Sequence, residues 1–397
     1  MDLTSSVSRS SRVTQRTLSR PDVGTKSVSR GRPRDSDRYL LFSAVFGYTH
    51  TMTPSISFLL DEGYHALESL YASDPDRIWY EVELLLAFVM GEDRVWLVAH
   101  SDRLVDDAHA RRFRALIQRR AGHEPIAYLV GSAEFFGRQF HVDPRVLIPR
   151  PETEELAAHA IKKIKDAIEQ PLVWDVGTGS GAIAVTVSAE CPGISVLASD
   201  IDPKALAVAK TNAKNLKAPV SFYQDNLLGP TIKRALTKKR FRPPLLIVAN
   251  LPYLPVSDKN KLMPDVVKFE PARALFVPGD GSGLVMKLVE QLAAFQKKDK
   301  RPLTVLAEID PPQSRHLQKF AKKLFPSAAI SVLKDSCGRN RILEIESTIK
   351  ETKKEDDRLQ PVGKKRSKKT SKKTRTKKPT RRPSARSSRS RRTARRS

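Results

Sequence analysis

An α/β fold with a doubly wound, mostly parallel sheet is predicted for the central part of the chain, and three observations support it. Apolar and amphipathic segments alternate between residues 152 and 346, as in strands that are joined by helical crossovers. A glycine-rich turn follows the first of these apolar segments, where such sheets bind ligands. Residues 55–121 show only the 3.6-residue apolar spacing of helices. The sequence therefore predicts a small all-helical domain followed by a sheet domain.

The region before the sheet divides into a helical part and a connector. Within 55–121, the basic segment 108–120 places its apolar side chains on one side of a helix. In 127–148 the pattern changes to short apolar segments broken by glycines. We expect a β-hairpin connector there, with 128–130 counted among the strand-forming segments.

The elements of the sheet domain follow from short apolar segments and from helical spacing. The predicted strands are 171–176, 195–199, 220–223, 245–249, 303–309, 329–333 and 341–346. One predicted helix begins near residue 182, and three others span 204–216, 284–295 and 313–325. The last two strands are too close in sequence for a helical crossover, so we expect them to pair antiparallel.

The formal net charge of +27 is concentrated at the two ends of the chain. Residues 1–51 hold 9 Lys and Arg against 4 Asp and Glu, and residues 350–397 hold 22 against 4. Both ends are expected to be disordered, and the basic C-terminal tail to bind nucleic-acid phosphates without sequence preference. For the Ser- and Arg-rich N-terminal extension, organellar targeting and a true start at Met52 are alternatives to an ordinary extension.

The cysteine content and the lengths of the apolar segments indicate the compartment in which the protein is expected. Two cysteines provide neither a disulfide framework nor a CxxC metal pattern, so a reducing compartment is expected. No apolar segment approaches the length of a membrane span, and no apolar segment follows the first methionine as in a secretory signal. We expect a cytoplasmic, monomeric protein without a membrane anchor or a metal.

The glycine-rich turn WDVGTGSG at 174–181 ends the first predicted strand and begins a helix. Its glycines permit a sharp turn and close approach of the backbone to a ligand. No Lys followed by Ser or Thr comes after it, which argues against a phosphate-binding P-loop. The alternative is a tight turn without a ligand.

Acidic residues follow the next two strands. Asp200 is placed to accept hydrogen bonds from the ribose hydroxyls of a nucleoside, whereas Asp202, before Pro203, is expected to cap the following helix. Asp225 and Asn226 fit either an adenine contact or a plain turn. These residues suit an adenosine-type cofactor. Because the sequence shows no phosphate-binding motif, S-adenosylmethionine is favoured over a dinucleotide. The expected cofactor-binding residues are Asp175, Gly177, Thr178, Gly179, Ser180, Gly181, Asp200, Asn226 and Asn250.

The fourth predicted strand leads directly into Asn250, Leu251, Pro252 and Tyr253, which are the expected catalytic residues. Strand carboxyl ends form the ligand crevice of a doubly wound sheet, so Asn250 is expected beside the cofactor. The Asn250 side-chain oxygen and the Leu251 carbonyl can accept the two N–H groups of a planar NH₂. Pro252 stiffens the turn, and Tyr253 can stack on a planar substrate. The alternative is a simple strand-to-loop turn.

These residues and their flanks resemble the HemK/PrmC family. The resemblance rests on HEPIAYLVG at 123–131, EFFG at 134–137, VLIPRPETEEL at 146–156 and FEP at 269–271, and covers roughly 56–346. It implies a Rossmann-like methyltransferase sheet and methylation of the glutamine in the Gly-Gly-Gln motif of peptide chain release factors, which modulates translation termination. By the same resemblance, the substrate-binding residues are Asn250, Leu251, Pro252, Tyr253, Arg150, Glu152 and Thr153, although a capped, ion-paired helix start also explains the last three.

The family usually has Asn-Pro-Pro-Tyr, and this chain has Leu251 at the second position. Asn-Leu-Pro-Tyr is also the form seen in ribosomal RNA adenine dimethyltransferases. Adenine-N6 methylation of RNA or DNA is therefore the alternative function. A nucleic-acid-associated protein that has lost the activity is a third hypothesis.

The predicted domains are a disordered extension at 1–51, a helical substrate-recognition domain at 52–122, a β-hairpin connector at 123–150, a methyltransferase domain at 151–348 and a disordered tail at 349–397.

Overall fold

The computed structural model describes residues 53–71, 74–237 and 243–348. The first part is helical. Its helices are α1 (Ile56–Leu67), α2 (Pro75–Met90), α3 (Arg94–Ala99), α4 (Asp107–Ala121) and α5 (Ile126–Val130), with a 3-10 turn at Glu68–Leu70. The helical prediction for 55–121 is confirmed. The predicted extension at 1–51 and the predicted tail at 349–397 lie outside the described residues.

The helical part has its own apolar core and one buried ion pair. Leu59, Leu85 and Phe113 of α1, α2 and α4 are fully buried in it. Arg120 of α4 donates through Nε to Glu81 of α2 at 2.7 Å, and both side chains are almost fully buried. Since a buried charge without a partner is costly, this pair links α2 to α4.

A β-hairpin follows the helical part, as predicted. Strands β1 (Ser132–Phe135) and β2 (Arg138–His141) pair antiparallel. The expectation that 128–130 is strand-forming is wrong, because these residues belong to α5. A five-residue apolar segment does not distinguish strand from helix by its spacing, and Gly131, with φ of 72°, ends the helix.

The sheet domain contains seven main strands and one short pair. They are β3 (Leu172–Val176), β4 (Ser195–Asp200), β5 (Val220–Gln224), β6 (Leu245–Ala249), β7 (Leu254–Pro255), β8 (Phe276–Val277), β9 (Leu303–Glu308), β10 (Ala329–Lys334) and β11 (Asn340–Ser347). The seven-stranded order is β10-β11-β9-β6-β3-β4-β5, and β7 pairs with β8 separately. β11 runs antiparallel to both neighbours, whereas the other pairs are parallel. The predicted fold class, including the antiparallel end of the sheet, is confirmed.

Helices cover both faces of this sheet. One face packs on α6 (Pro151–Lys165), α7 (Ala182–Glu190) and α8 (Pro203–Asn215), and the other on α9 (Pro230–Thr237), α12 (Gly283–Asp299) and α13 (Ser314–Leu324). Between β7 and β8 lie a 3-10 helix at Val256–Lys261, α10 (Pro264–Phe269) and α11 (Ala272–Leu275); a 3-10 turn at Pro311–Gln313 precedes α13. The short elements between residues 230 and 277 were not predicted, apart from β6, since they offer few turns of pattern.

The chain order of the strands locates the ligand crevice. From β3 the chain proceeds to β4 and β5 on one side, and it later returns to β6 on the other side of β3. A crevice forms outside the carboxyl ends of the strands where the winding direction reverses. The loops after β3 and β6 therefore meet there.

Candidate active site

A cavity of about 440 Å³ lies at the carboxyl ends of β3, β4, β5 and β6. The predicted site residues that line it are Arg150, Thr153, Gly177, Thr178, Gly179, Ser180, Asp200, Asn226, Asn250, Leu251 and Pro252. Asp175, Gly181, Glu152 and Tyr253 are not among the lining residues. The structure thus brings together residues that lie up to about a hundred positions apart in the chain. The four predicted residues that do not line the cavity lie behind or beside its lining.

The glycine-rich turn after β3 forms one wall. Gly177, Gly179 and Gly181 have φ of 72°, 55° and 84°, a region that L side chains rarely adopt. A Cβ on Gly179 would have no neighbour within 4 Å, whereas one on Gly181 would lie 3.1 Å from Ala209 Cβ. Gly179 therefore presents bare backbone to the cavity, and Gly181 permits close packing of the loop on α8.

Asp175 holds this loop from beneath. Its Oδ2 accepts hydrogen bonds from Thr178 Oγ1 at 2.6 Å and from the backbone N–H of Ala184 at 3.2 Å. Burial raises the pKa of Asp175 to about 7. Its placement fits support of the glycine-rich loop from below, and its direct cofactor contact stays a prediction.

Asp200, at the end of β4, faces the cavity beside this loop. Its Oδ2 accepts from the backbone N–H of Gly179 and its Oδ1 from that of Asp202, both at 2.9 Å. Burial raises the pKa of the Asp200 carboxyl above its usual range. Asp202 accepts from the backbone N–H of Lys204 at 2.8 Å, which confirms its predicted role as the N-cap of α8.

Asp225 and Asn226 divide the two roles that the sequence left open. Asp225 Oδ2 accepts from the backbone N–H of Ile232 in α9 at 2.8 Å, so this carboxylate supports the start of that helix. Asp225 and Asn226 both line the cavity, and Asn226 is the more exposed of the two. The turn explanation suits Asp225, whose carboxylate holds the start of α9, and it leaves the Asn226 side chain available to a ligand.

The turn after β6 forms the opposite wall. Asn250 Nδ2 donates to Thr153 Oγ1 at 2.9 Å, and Thr153 Oγ1 donates to Glu308 Oε2 at 2.9 Å. The Tyr253 hydroxyl donates to the other oxygen of Glu308 at 3.1 Å. Burial raises the pKa values of Tyr253 and Glu308 above their usual ranges. Asn250 thus belongs to a buried network that links β6, α6 and β9.

The backbone of the same turn is held from the far side. Gln313, which is almost fully buried, donates from Nε2 to the carbonyls of Tyr253 at 2.9 Å and Asp280 at 2.8 Å. A Cβ on Gly281 would lie 1.9 Å from the Tyr253 carbonyl oxygen. The segment around Gly281 therefore packs directly on the turn, and no side chain fits there.

The Leu251 side chain is buried and points toward the glycine-rich loop. A Cβ on Gly177 would come within 2.9 Å of Leu251 Cδ2. This side chain thus contacts the loop that borders the other wall of the cavity.

The family-like strings at 146–156 and 269–271 meet beside the cavity. Arg150 forms an ion pair with Glu270, and Glu270 also accepts from the backbone N–H of Ile148 at 3.2 Å. Glu152 pairs at 3.7 Å with Arg339 near the turn between β10 and β11. The predicted ion-paired helix start is present at Arg150 and Glu152, whereas Thr153 is committed to Asn250 and Glu308.

Sequence reasoning missed Glu308 and Gln313. A signal for Glu308 was available, because an acid at the end of the buried strand β9 occupies the same kind of position as Asp175 and Asp200. Gln313 had no such signal, since its partners are backbone carbonyls that lie far away in sequence.

In 53–71, 74–237 and 243–348, no group of three or more His, Cys, Asp or Glu side chains is arranged to hold a metal ion. Over the same ranges, no helix combines the length and apolarity that crossing a membrane requires.

Two family models match this chain. One is described as the PrmC N-terminal domain and matches residues 59–131; the other is described as the methyltransferase small domain and matches residues 156–245. The first covers most of the helical part and ends before the β-hairpin, and the second covers the sheet domain from α6 to the start of β6.

Similar proteins include release factor glutamine methyltransferases from bacteria. That of Bacillus subtilis (strain 168) is 37% identical over 279 residues, which cover 69% of this chain and 93% of the relative. That of Staphylococcus aureus is 31% identical over 284 residues, which cover 72% of this chain and 96% of the relative. A solved structure of protein-(glutamine-N5) methyltransferase (release factor-specific) from Alicyclobacillus acidocaldarius is 26% identical and covers 53% of this chain and 100% of its own, with a TM-score of 0.31.

Proposed function

Because this chain belongs to the release factor glutamine methyltransferase family, we propose that it methylates the side-chain amide nitrogen of the glutamine in the Gly-Gly-Gln motif of peptide chain release factors. The methyl donor is S-adenosylmethionine, and the effect is to modulate translation termination. The observation that carries the proposal is the setting of Asn250, which lines the cavity and whose Nδ2 is held by Thr153.

The cavity fits an adenosine-type methyl donor. Its volume of about 440 Å³ lies in the range of small-molecule sites. Gly179 offers bare backbone, and the buried carboxylate of Asp200 offers acceptor oxygens for ribose hydroxyls. Thr178, Ser180 and Asn226 complete the proposed cofactor contacts. S-adenosylmethionine, when bound, supplies a methyl group on a positively charged sulfur.

Positioning of the substrate nitrogen falls to the turn after β6. The Asn250 Oδ1 accepts one N–H of the glutamine amide and the Leu251 carbonyl accepts the other, which turns the face of the nitrogen toward the methyl donor. Pro252 restricts the conformations of the turn, so the acceptors are fixed before the substrate binds. Fixed geometry of this kind supplies much of the catalysis in a transfer between two bound molecules. The proton released from the nitrogen leaves to water.

Arg150, Glu152 and Thr153 shape the substrate side of the cavity in this proposal. Arg150 and Glu152 act through their ion pairs, and Thr153 acts through Asn250. Tyr253 is anchored through its hydroxyl, and its stacking on the substrate stays a prediction.

Adenine-N6 methylation is the competing function, which Leu251 in the Asn-Leu-Pro-Tyr turn suggested from the sequence. The buried Leu251 side chain packs toward the glycine-rich loop, so its identity leaves the backbone acceptor available for either an amide or an adenine amine. The two functions therefore differ in their substrates and not in the catalytic turn.

Further parts of the proposal concern partners and location. We propose that the chain acts as a monomer in the cytoplasm, and that its basic tail at 349–397 holds it near RNA or ribosomes through phosphate contacts, which carry no sequence information. Removal of 350–397 should lower RNA affinity and spare turnover on free release factor. An equal loss of both would contradict this role of the tail.

The experiment that tests the function is a competition for label. The full chain is incubated with radiolabelled S-adenosylmethionine, release factor and ribosomal RNA, and the labelled species is digested and analysed by mass spectrometry. We expect one methyl group on the glutamine of the Gly-Gly-Gln motif and none in Asn250→Ala. Label in the RNA alone would establish the competing function, and full transfer by Asn250→Ala would overturn the proposed role of this residue.

A further inference from the structure

Glu308 is a buried acid beside the site, and methyl transfer as described above does not use it. It ends β9, is 1% exposed and lines no part of the cavity. Each of its carboxylate oxygens accepts from a different residue of the site, Oε2 from Thr153 and Oε1 from Tyr253. A carboxylate in such a place costs desolvation energy unless it is hydrogen-bonded, and both of these partners lead to the catalytic turn.

The direction of the hydrogen bonds follows from the number of protons available. Both oxygens of Glu308 accept, Oε2 from the Thr153 hydroxyl and Oε1 from the Tyr253 hydroxyl, so the single hydroxyl proton of Thr153 is used on Glu308. Thr153 Oγ1 then has only lone pairs to offer to Asn250. Of the two polar atoms of the Asn250 amide, only Nδ2 can donate to them, and it lies 2.9 Å away. The oxygen Oδ1 is therefore the polar atom left for a ligand.

We propose that Glu308 is a positioning residue which, through the Thr153 hydroxyl, sets the orientation of the Asn250 amide so that an acceptor oxygen meets the substrate nitrogen. The inference rests on the proposed function for the identity of the substrate. A substrate NH₂ brings only donors toward Asn250. An Asn250 amide turned the other way would present its own NH₂, and the substrate would be repelled instead of held.

The same carboxylate also steadies the other end of the turn. The Tyr253 hydroxyl donates to Glu308, while the carbonyl of Tyr253 accepts from Gln313. Because Asn250 and Tyr253 flank Leu251 and Pro252, a single buried acid restrains both ends of the segment that carries the two acceptors.

Substitution of Glu308 by Gln reverses the direction of the hydrogen bonds from Asn250 through Thr153 to residue 308, with little change in side-chain shape. The new amide can donate to Thr153 Oγ1, which frees the hydroxyl proton to donate to Asn250 Oδ1 and favours the flipped amide. We expect Glu308→Gln to lower kcat by about 10²-fold, in line with the loss of one fixed polar contact at a reacting group. The Kd for S-adenosylmethionine, measured by calorimetry, should stay within about twofold.

Thr153 provides a second pair of variants that does not depend on how Glu308→Gln folds. Thr153→Ser retains the hydroxyl and should keep kcat within about threefold, whereas Thr153→Val is of similar size, lacks the hydroxyl and should fall about 10²-fold. Since both residues act through one amide, the double variant Glu308→Gln/Thr153→Val should be no worse than either single variant.

A control and a direct readout separate this proposal from a general loss of stability. Glu344→Gln alters another carboxylate of the same sheet, which pairs with Lys163 and lines no part of the cavity, and should leave kcat within about twofold. In the full chain labelled with ¹⁵N-Asn, the Asn250 side-chain NH₂ signals, assigned with Asn250→Ala, should shift in Glu308→Gln and Thr153→Val but not in Thr153→Ser.

The outcomes are distinct. Unchanged kcat and unchanged NH₂ signals in Glu308→Gln would overturn the proposal, as would multiplicative losses in the double variant or an equal loss in Thr153→Ser. A wild-type chain that labels no release factor would refute the proposed substrate, while the NH₂ signals would still report whether Glu308 orients Asn250.

Discussion

Gly281 provides a stringent test of how tightly the catalytic turn is held. A Cβ at this position would lie 1.9 Å from the Tyr253 carbonyl oxygen and 2.6 Å from Gln313 Nε2. Real Cβ atoms essentially never approach below 3.0 Å, so the Ala methyl group and the carbonyl must separate by about 1 Å. Because Tyr253 lies three residues after Asn250, this displacement acts directly on the turn that we propose positions the substrate.

Gly281→Ala should lower the free energy of unfolding through two contributions. Gly281 has φ of 84°, and an L side chain in that region costs about 1 kcal/mol. Loss of the hydrogen bond from Gln313 to Tyr253 adds about 1 kcal/mol. Since a displacement of about 1 Å in a reacting group can cost roughly 10²-fold in rate, we expect Gly281→Ala to lower kcat by about that factor.

Gly279, which lies with Gly281 in the loop between β8 and α12, provides the matched control. Its φ is 77°, and a Cβ there would have no neighbour within 4 Å. Gly279→Ala should therefore show the backbone strain of about 1 kcal/mol in urea unfolding and keep kcat within about twofold. Methyl transfer to release factor and urea unfolding are measured for both variants. Equal kcat values for Gly281→Ala and Gly279→Ala would refute the packing argument.

Three further substitutions test other parts of the structure. Asp200→Asn should weaken S-adenosylmethionine binding by about tenfold or more in calorimetry, since a charged acceptor is lost; unchanged affinity would contradict the assignment to ribose. Arg120→Met should lower the free energy of unfolding by about 3 kcal/mol, because Glu81 loses its buried ion-pair partner and keeps only the Tyr71 hydroxyl and the partly exposed Arg77, whereas Arg120→Met/Glu81→Leu should recover most of it; a double variant as unstable as the single one would show that charge burial is not the cause. The raised pKa of Asp175 means that the folded state retains a proton that the unfolded chain releases, so wild-type stability should fall as the pH rises from the ordinary carboxyl pKa of 3.8 to about 7. Asp175→Asn should therefore gain about 3 kcal/mol relative to wild type between about pH 5 and pH 8, and a constant difference across that range would contradict the shift.

Much of the fold was predictable because its determinants are local. The strands β3 and β6 are short apolar segments, and the glycine-rich turn and Asp202 carry their conformational signals in adjacent residues. Parallel strands bring their carboxyl ends to one edge, so Asp200 and Asn250 were predicted to lie together from chain order alone.

Other features could not be predicted because their local signals were weak or shared. The apolar residues at 128–130 suit a strand as well as the helix α5 that they form, and packing against the rest of the helical part decides between them. Tyr253 carries an aromatic ring that suits stacking, but the structure engages its hydroxyl with Glu308 and places it outside the cavity lining.

By itself, the amino-acid sequence determined the class of fold and the edge of the sheet at which Asp200 and Asn250 come together around a cavity. Those properties depend on periodicity, on backbone conformations that glycine and proline favour, and on the order of strands along the chain. Only the tertiary structure decided which atom of Asn250 contacts Thr153, because that choice depends on the hydrogen bond from Thr153 to Glu308, 155 positions away. A proton can be assigned to one partner or another only when the partners are known, and the fold alone brings them together.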